Sequence, residues 1–171
     1  MPADDSDFAA YLAARWPFLV RTVVLLGSPQ PEAEEVASTA LARCHTGWRQ
    51  VREADDVDAH VYRMLLLEWR GRQRRGRGGA VPEQDPQPTG QPTGQPTAGE
   101  DPLVRMRLAL EAQLAGLTPE QREVLVLRFV AGLDDLQVGD VLDVPADVVR
   151  ARVRTALAGI DLAALREMTG R

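Results

Sequence analysis

The chain has no lysine, few aromatic residues (5%), one cysteine and two histidines. A lone Cys44 cannot form an internal disulfide, and Cys44, His45 and the distant His60 fall short of the four ligands of a structural zinc site. Strand-favouring runs are nearly missing, which argues against a sheet. No run reaches the roughly 18 consecutive apolar residues of a membrane span. The start, Met1-Pro2-Ala3-Asp4-Asp5, is acidic where a signal peptide is basic, so a cytoplasmic protein without a membrane partner is expected. There is no Ser/His/Asp set, phosphate loop or dinucleotide fingerprint, so neither an enzyme, a cofactor nor a small-molecule substrate is expected.

What is present is Ala, Leu, Val and Arg at helical spacing. With 171 residues, 44% of them hydrophobic, the chain can bury one moderate core or two small ones. Phe8, Tyr11, Leu12, Trp16, Leu19, Val20 and Val23 recur every three or four positions, predicting a helix over residues 7–26 that Pro17 should kink or divide. Pro31, Glu32, Glu34 and Glu35 suit a second helix start, and its stripe runs from Ala33 through Cys44 and Trp48 to Val51. A third helix, from about Val57, turns Val61, Met64 and Leu65 inward and ends in arginines.

A boundary follows at Gly76–Asp101, where Gln87-Pro88-Thr89-Gly90 is repeated at once and then nearly repeated at Gln95–Ala98. Such Pro/Gly/Thr/Gln sequence cannot build a core and predicts a disordered tether, with a reach on the order of 25–30 Å. The expected architecture is all-α: a helical lobe over residues 1–75, the linker at 76–101, and a second lobe over 102–171.

In the second lobe Leu103, Met106, Leu110 and Leu114 form a stripe. Thr118-Pro119-Glu120-Gln121 then matches a capping box, opening a helix that carries Val124, Leu125, Leu127 and Phe129. Two short helices, 134–142 and 146–158, are separated only by Asp143-Val144-Pro145, which is helix-turn-helix spacing. The second would present Asp147, Val148, Arg150, Ala151 and Arg154 to a DNA groove and bury Val149, Val153 and Leu157. The net charge of −5 opposes nucleic-acid binding, but the basic residues cluster at Arg63–Arg77 and Arg150–Arg154. In the first cluster an exposed Trp69 could stack on an unpaired base, or it could be core.

Ala33-Glu34-Glu35-Val36, the stretch Leu41-Ala42-Arg43 to Trp48, Ala59 to Arg75, a linker, and Leu117-Thr118-Pro119-Glu120-Gln121-Arg122-Glu123-Val124-Leu125 before a helix-turn-helix resemble, in this order, the extracytoplasmic-function sigma factors of the sigma-70 family, in particular their actinobacterial SigE-like branch. The resemblance covers nearly the whole chain outside the linker. It implies that the first lobe is a region 2 that grips the clamp of core RNA polymerase and melts the −10 element. The second lobe would be a region 4 that reads the −35 element and touches the polymerase flap. Carried onto this chain, it implies polymerase contacts at Glu34, Glu35, Ser38, Thr39 and Arg43. Melted promoter DNA would meet Arg63, Leu67, Trp69, Arg70, Arg72, Arg74 and Arg75, and the −35 duplex would meet Asp147, Val148, Arg150, Ala151, Arg152 and Arg154.

Some positions depart from the family pattern. Ser38 and Thr39 stand for a Gln-Glu pair, Leu67 for an Asn, Gly139 for an Ala and Asp143 for a Gly. These departures keep a second reading open: a sigma-like regulator that acts by binding another protein, such as an anti-sigma factor, without reading promoters. A self-standing helix-turn-helix repressor fits less well, since no dimerisation segment accompanies the motif.

Overall fold

The computed structural model describes residues 2–78 and 102–161, and the side chains of 5–76 and 108–161 within them. The tether at 79–101, the side chains of Arg77, Leu103 and Met106, and the tail from Leu162 lie outside the described residues. Among the described residues there are eight helices: α1 (Pro2–Leu25), α2 (Gln30–Thr46), α3 (Trp48–Arg52), α4 (Val57–Gly78), α5 (Pro102–Ala115), α6 (Pro119–Leu125, continued by a π turn, Val126–Val130), α7 (Asp135–Leu142) and α8 (Ala146–Ala158). No strand occurs among the described residues.

The first lobe packs α1, α2 and α4 on one another. Leu19 and Val23 of α1, Val36, Ala37 and Ala40 of α2, and Val61, Tyr62 and Leu65 of α4 are fully buried. Pro17 does not divide α1; it sits exposed inside one continuous helix. That helix is long and apolar enough, by length and composition alone, to cross a membrane, yet its C-terminal half is core, with Leu19, Val20, Val23 and Leu25 buried. The second stripe is shorter than its spacing suggests. α2 ends at Gly47, and α3 restarts so that Trp48, 5% exposed, turns in against the rings of Phe8 and Tyr11, each 5.2 Å away between centroids. Tyr11 donates to Asp58 Oδ1 at 2.8 Å, and Arg15 pairs with the same carboxylate, tying α1 to the first turn of α4.

In the second lobe the expected capping box is present. Gln121 N–H donates to Thr118 Oγ1 at 3.3 Å, and Thr118 N–H donates to Gln121 Oε1 at 3.1 Å. The sequence reading missed a second box, in which Asp134 Oδ1 accepts from Leu136 N–H and Gln137 N–H at 2.9 Å while Asp134 N–H donates to Gln137 Oε1 at 2.7 Å. The helix-turn-helix forms as its spacing implies, with helices at 135–142 and 146–158. Asp143 takes the left-handed conformation at φ 58°, which an aspartate side chain tolerates better than most. This bend carries the chain so close to α7 that a Cβ on Gly139 would meet the Val144 carbonyl oxygen at 2.7 Å. Gly139 is therefore demanded by the turn, not a defect of the helix.

Two expectations about facing residues are corrected. Phe129 does not join the core: the π turn, closed by Ala131 N–H on the Val126 carbonyl, inserts an extra residue and leaves the ring 61% exposed beneath the Arg128 guanidinium. Leu157 is also exposed. Val149 and Ala156 are fully buried and Val153 is half-buried, so the inner face of α8 runs along 149, 153 and 156.

The lobes touch. α4 packs on α7 and α1 packs on the π turn, and the buried apolar side chains of both lobes form one continuous cluster.

Candidate nucleic-acid and polymerase interfaces

Helix α8 splits its candidate residues between two directions. Asp147, Arg150, Ala151 and Arg154, spaced three and four apart, are exposed along one outward row. Val148 and Arg152 are half-buried to the side of it. Arg152 lies on the flank toward α6, where it adds positive potential at Glu120; that carboxyl is held below its ordinary value first by its own backbone N–H and then by Thr118. Arg150 reaches Asp135 only at 3.9 Å and leaves 57% of its side chain in solvent. Asp135 is engaged more closely by Arg128, at 3.1 Å, whose guanidinium also donates to the Leu133 carbonyl and so braces the entry to α7.

The arginines of α4 form two stripes with different partners. Arg63 and Arg70, seven residues apart on one face, point at the second lobe. Arg63 donates through Nε (2.9 Å) and Nη2 to the carbonyl of Asp140. Arg70 grips Glu123 as a fork, Nε to Oε1 at 3.1 Å and Nη2 to Oε2 at 2.6 Å. Arg72 and Arg75 share another face with Glu68. The Glu68 side chain is 7% exposed and is approached by Arg43 at 3.0 Å, Arg75 at 3.4 Å and Arg72 at 3.7 Å. Arg72 also pairs with Glu35 at 2.7 Å, and that hydrogen bond raises its already high pKa. Arg74 is exposed and makes no ion pair with a described residue. Leu67 is 52% exposed. Trp69 is 9% exposed and its indole N–H donates to Ser28 Oγ at 3.2 Å, so in this arrangement it packs in the core and offers no face for a base.

On α2, Glu34, Glu35, Ser38 and Arg43 are exposed and Thr39 is half-buried. The Thr39 hydroxyl is spent on the Glu35 carbonyl at 2.8 Å, and Glu34 accepts from Gln30 at 3.0 Å. Together with Trp16, Pro31 and Arg72, residues 34, 35, 38 and 39 line a shallow open depression. The structure thus brings the α2 candidates beside one α4 stripe and keeps α8 apart from both. Glu68 and Glu123, which hold the α4 arginines, were not singled out from sequence. Glu123 is 53 residues from its partner, and no local spacing reveals such a pair.

Residues 113–160 match the model of sigma-70 region 4. They contain the Thr118 capping box, the helix-turn-helix and the outward row of α8. A relative, the RNA polymerase sigma-E factor of Streptomyces coelicolor, is 27% identical over 157 residues, which is 89% of this chain and 82% of that protein. The chain is thus similar to sigma factors of the sigma-70 family, with the region 4 match at residues 113–160. Two solved members of that fold are similar throughout. The sigma factor RpoE of Bartonella quintana, solved with the anti-sigma factor NepR, has a TM-score of 0.69 at 20% identity over 95% of this chain and 96% of that one. CnrH, solved with the cytosolic domain of CnrY, has a TM-score of 0.65 at 20% identity over 95% and 89%. The helix-turn-helix at 135–158 lies inside the segment that matches sigma-70 region 4.

Proposed function

We propose that the chain is an extracytoplasmic-function sigma factor that binds core RNA polymerase through α2 and directs it to promoters by two DNA contacts, one through α4 at the −10 element and one through α8 at the −35 element. The observation that carries this reading is the solvent-open row of Asp147, Arg150, Ala151 and Arg154 on the second helix of a helix-turn-helix. Arginines at such positions reach base edges and phosphates. Each contact is weak, and the polymerase raises the effective concentration of the second once the first is made. In vitro transcription with core enzyme and genomic promoter fragments tests the proposal. Stimulation from a defined set of start sites is expected, and none at any fragment would exclude it.

A second reading is favoured by the pairing of Arg63, Arg70, Arg72 and Arg75 with protein groups. On that reading the chain acts through a protein partner, and the NepR and CnrY complexes of its structural relatives point to an anti-sigma factor. Affinity capture from lysate separates the two: polymerase subunits support initiation, whereas an exclusive non-polymerase partner supports the regulator.

A further inference from the structure

We propose that α8 selects its duplex by base chemistry at two neighbouring pairs, Asp147 accepting from the exocyclic amino group of a cytosine and Arg150 donating to a guanine of the adjoining pair. The inference rests on the reading of α8 as the helix that enters the −35 duplex, and it names the sequence which that helix takes.

The outward row of α8 begins with an acid. Asp147 stands in the first turn of a 13-residue helix whose N-cap, Pro145, supplies no side-chain cap. It is exposed and makes no ion pair or hydrogen bond with a described residue. On a face turned to DNA a carboxylate is a costly choice, because phosphates repel it wherever it does not meet a hydrogen-bond donor. An ionised carboxylate has only acceptors to offer. The donors of the major groove are the amino groups of cytosine and adenine, and on adenine the N7 acceptor beside the amino group opposes a second acceptor. Cytosine is therefore the base that Asp147 suits.

Arg150 supplies the opposite chemistry. Its side chain is 57% exposed, and Asp135 stands off at 3.9 Å because Arg128 holds that carboxylate at 3.1 Å. A guanidinium fork left open in this way matches the O6 and N7 acceptors of guanine. Three residues advance a helix by about 4.5 Å, little more than the roughly 3.4 Å between base pairs, so positions 147 and 150 meet neighbouring pairs. Ala151, next on the row, has no polar side-chain group to compete with either. Thr155 already donates its hydroxyl to the Ala151 carbonyl at 3.1 Å, and Val148 and Arg152 lie half-buried off the row. Discrimination thus falls on Asp147 and Arg150, and Arg154, a further turn along, is left for phosphate.

The test uses the full chain bound to purified core RNA polymerase and a pool of random-sequence DNA duplexes, the bound duplexes being sequenced after repeated selection. The parent chain should enrich a motif with two consecutive G·C pairs, in either orientation. Asp147→Asn should turn one of them into an A·T pair, with adenine on the strand that carried the cytosine, because an asparagine amide pairs with adenine N6 and N7. Arg150→Ala should lose a roughly tenfold preference at the other pair and there alone. Enrichment of the remaining motif positions shows that each variant is folded and loaded. Should Asp147→Asn enrich nothing, Asp147→Ala takes its place and should accept any base at that one pair.

A parent motif without consecutive G·C pairs, or one that passes unchanged through the Asp147 variants, overturns the base assignment and leaves promoter binding by α8 intact. If the parent chain enriches no motif that responds to Arg150→Ala, the reading of α8 as a DNA-contacting helix falls, and the assignment falls with it.

Discussion

Replacing Gly139 by alanine sets two physical effects of opposite sign against each other. Glycine inside a helix costs about 1 kcal/mol relative to alanine, so propensity alone expects Gly139→Ala to stabilise α7. The added Cβ, however, would lie 2.7 Å from the Val144 carbonyl oxygen, against an ordinary contact of about 3.5 Å. The obstructing atom is backbone, held by the 3.0 Å bond from Val144 N–H to the Gly139 carbonyl and by the left-handed Asp143 between them. It cannot swing aside as a side chain would. Overpacking of this kind costs roughly 1–3 kcal/mol, and fixed backbone belongs in the upper half of that range. The net expectation is a loss of about 1–2 kcal/mol, or a Tm lower by roughly 2–8 °C for a chain of this size. Gly76, exposed near the end of α4 with nothing within 4 Å of its Cβ position, is the control. Gly76→Ala should hold or slightly raise the Tm. Thermal unfolding followed by circular dichroism decides, and a Gly139→Ala protein as stable as the parent would refute the close-approach argument.

Asp143→Gly removes the cost of a side chain at φ 58° and should stabilise the protein by up to about 1 kcal/mol, seen as a higher urea midpoint with unchanged slope. Asp134→Ala deletes the acceptor for two backbone N–H groups at the start of α7 and should cost about 1 kcal/mol in the same assay. Cys44 is 2% exposed and burial pushes its thiol up to about 11, so iodoacetamide near neutral pH should modify it only after unfolding; rapid labelling of the native chain would contradict its placement. Burial raises Tyr62 from 10.0 to about 12 and, with Asp58, raises Tyr11 as well. Folded pKa values above the unfolded one mean that this contribution to stability is complete below pH 10 and is lost as pH climbs toward 12. An ultraviolet titration should show both phenols ionising late and together with unfolding.

The helices were legible because their apolar spacing is local, and so were the Thr118 box and the 143–145 turn, whose residues lie within four positions of one another. What escaped depends on distance or on register. The break before Trp48 is set by the rings of Phe8 and Tyr11, some forty residues earlier. Phe129 follows helical spacing in sequence, and only the extra residue of the π turn rotates it outward. Arginine clusters on α4 and α8 are equally visible in sequence, yet only the fold separates them, because Glu123 and Glu35, remote in the chain, hold Arg70 and Arg72 of α4, while Arg150 of α8 meets Asp135 only at 3.9 Å. Gly139 shows the same limit: propensity marks it as a flaw until the path of the next three residues is known.

Glu68 joins the two faces of the first lobe. A single carboxylate serves one arginine from α2 and two from α4, and one of those two also grips Glu35. Helices cross-braced in this way move as a plate, so a load applied at Glu35 or Arg43 is shared at once by Arg72 and Arg75. A partner seated on α2 would then retune the charge presented by the far end of α4 without touching it.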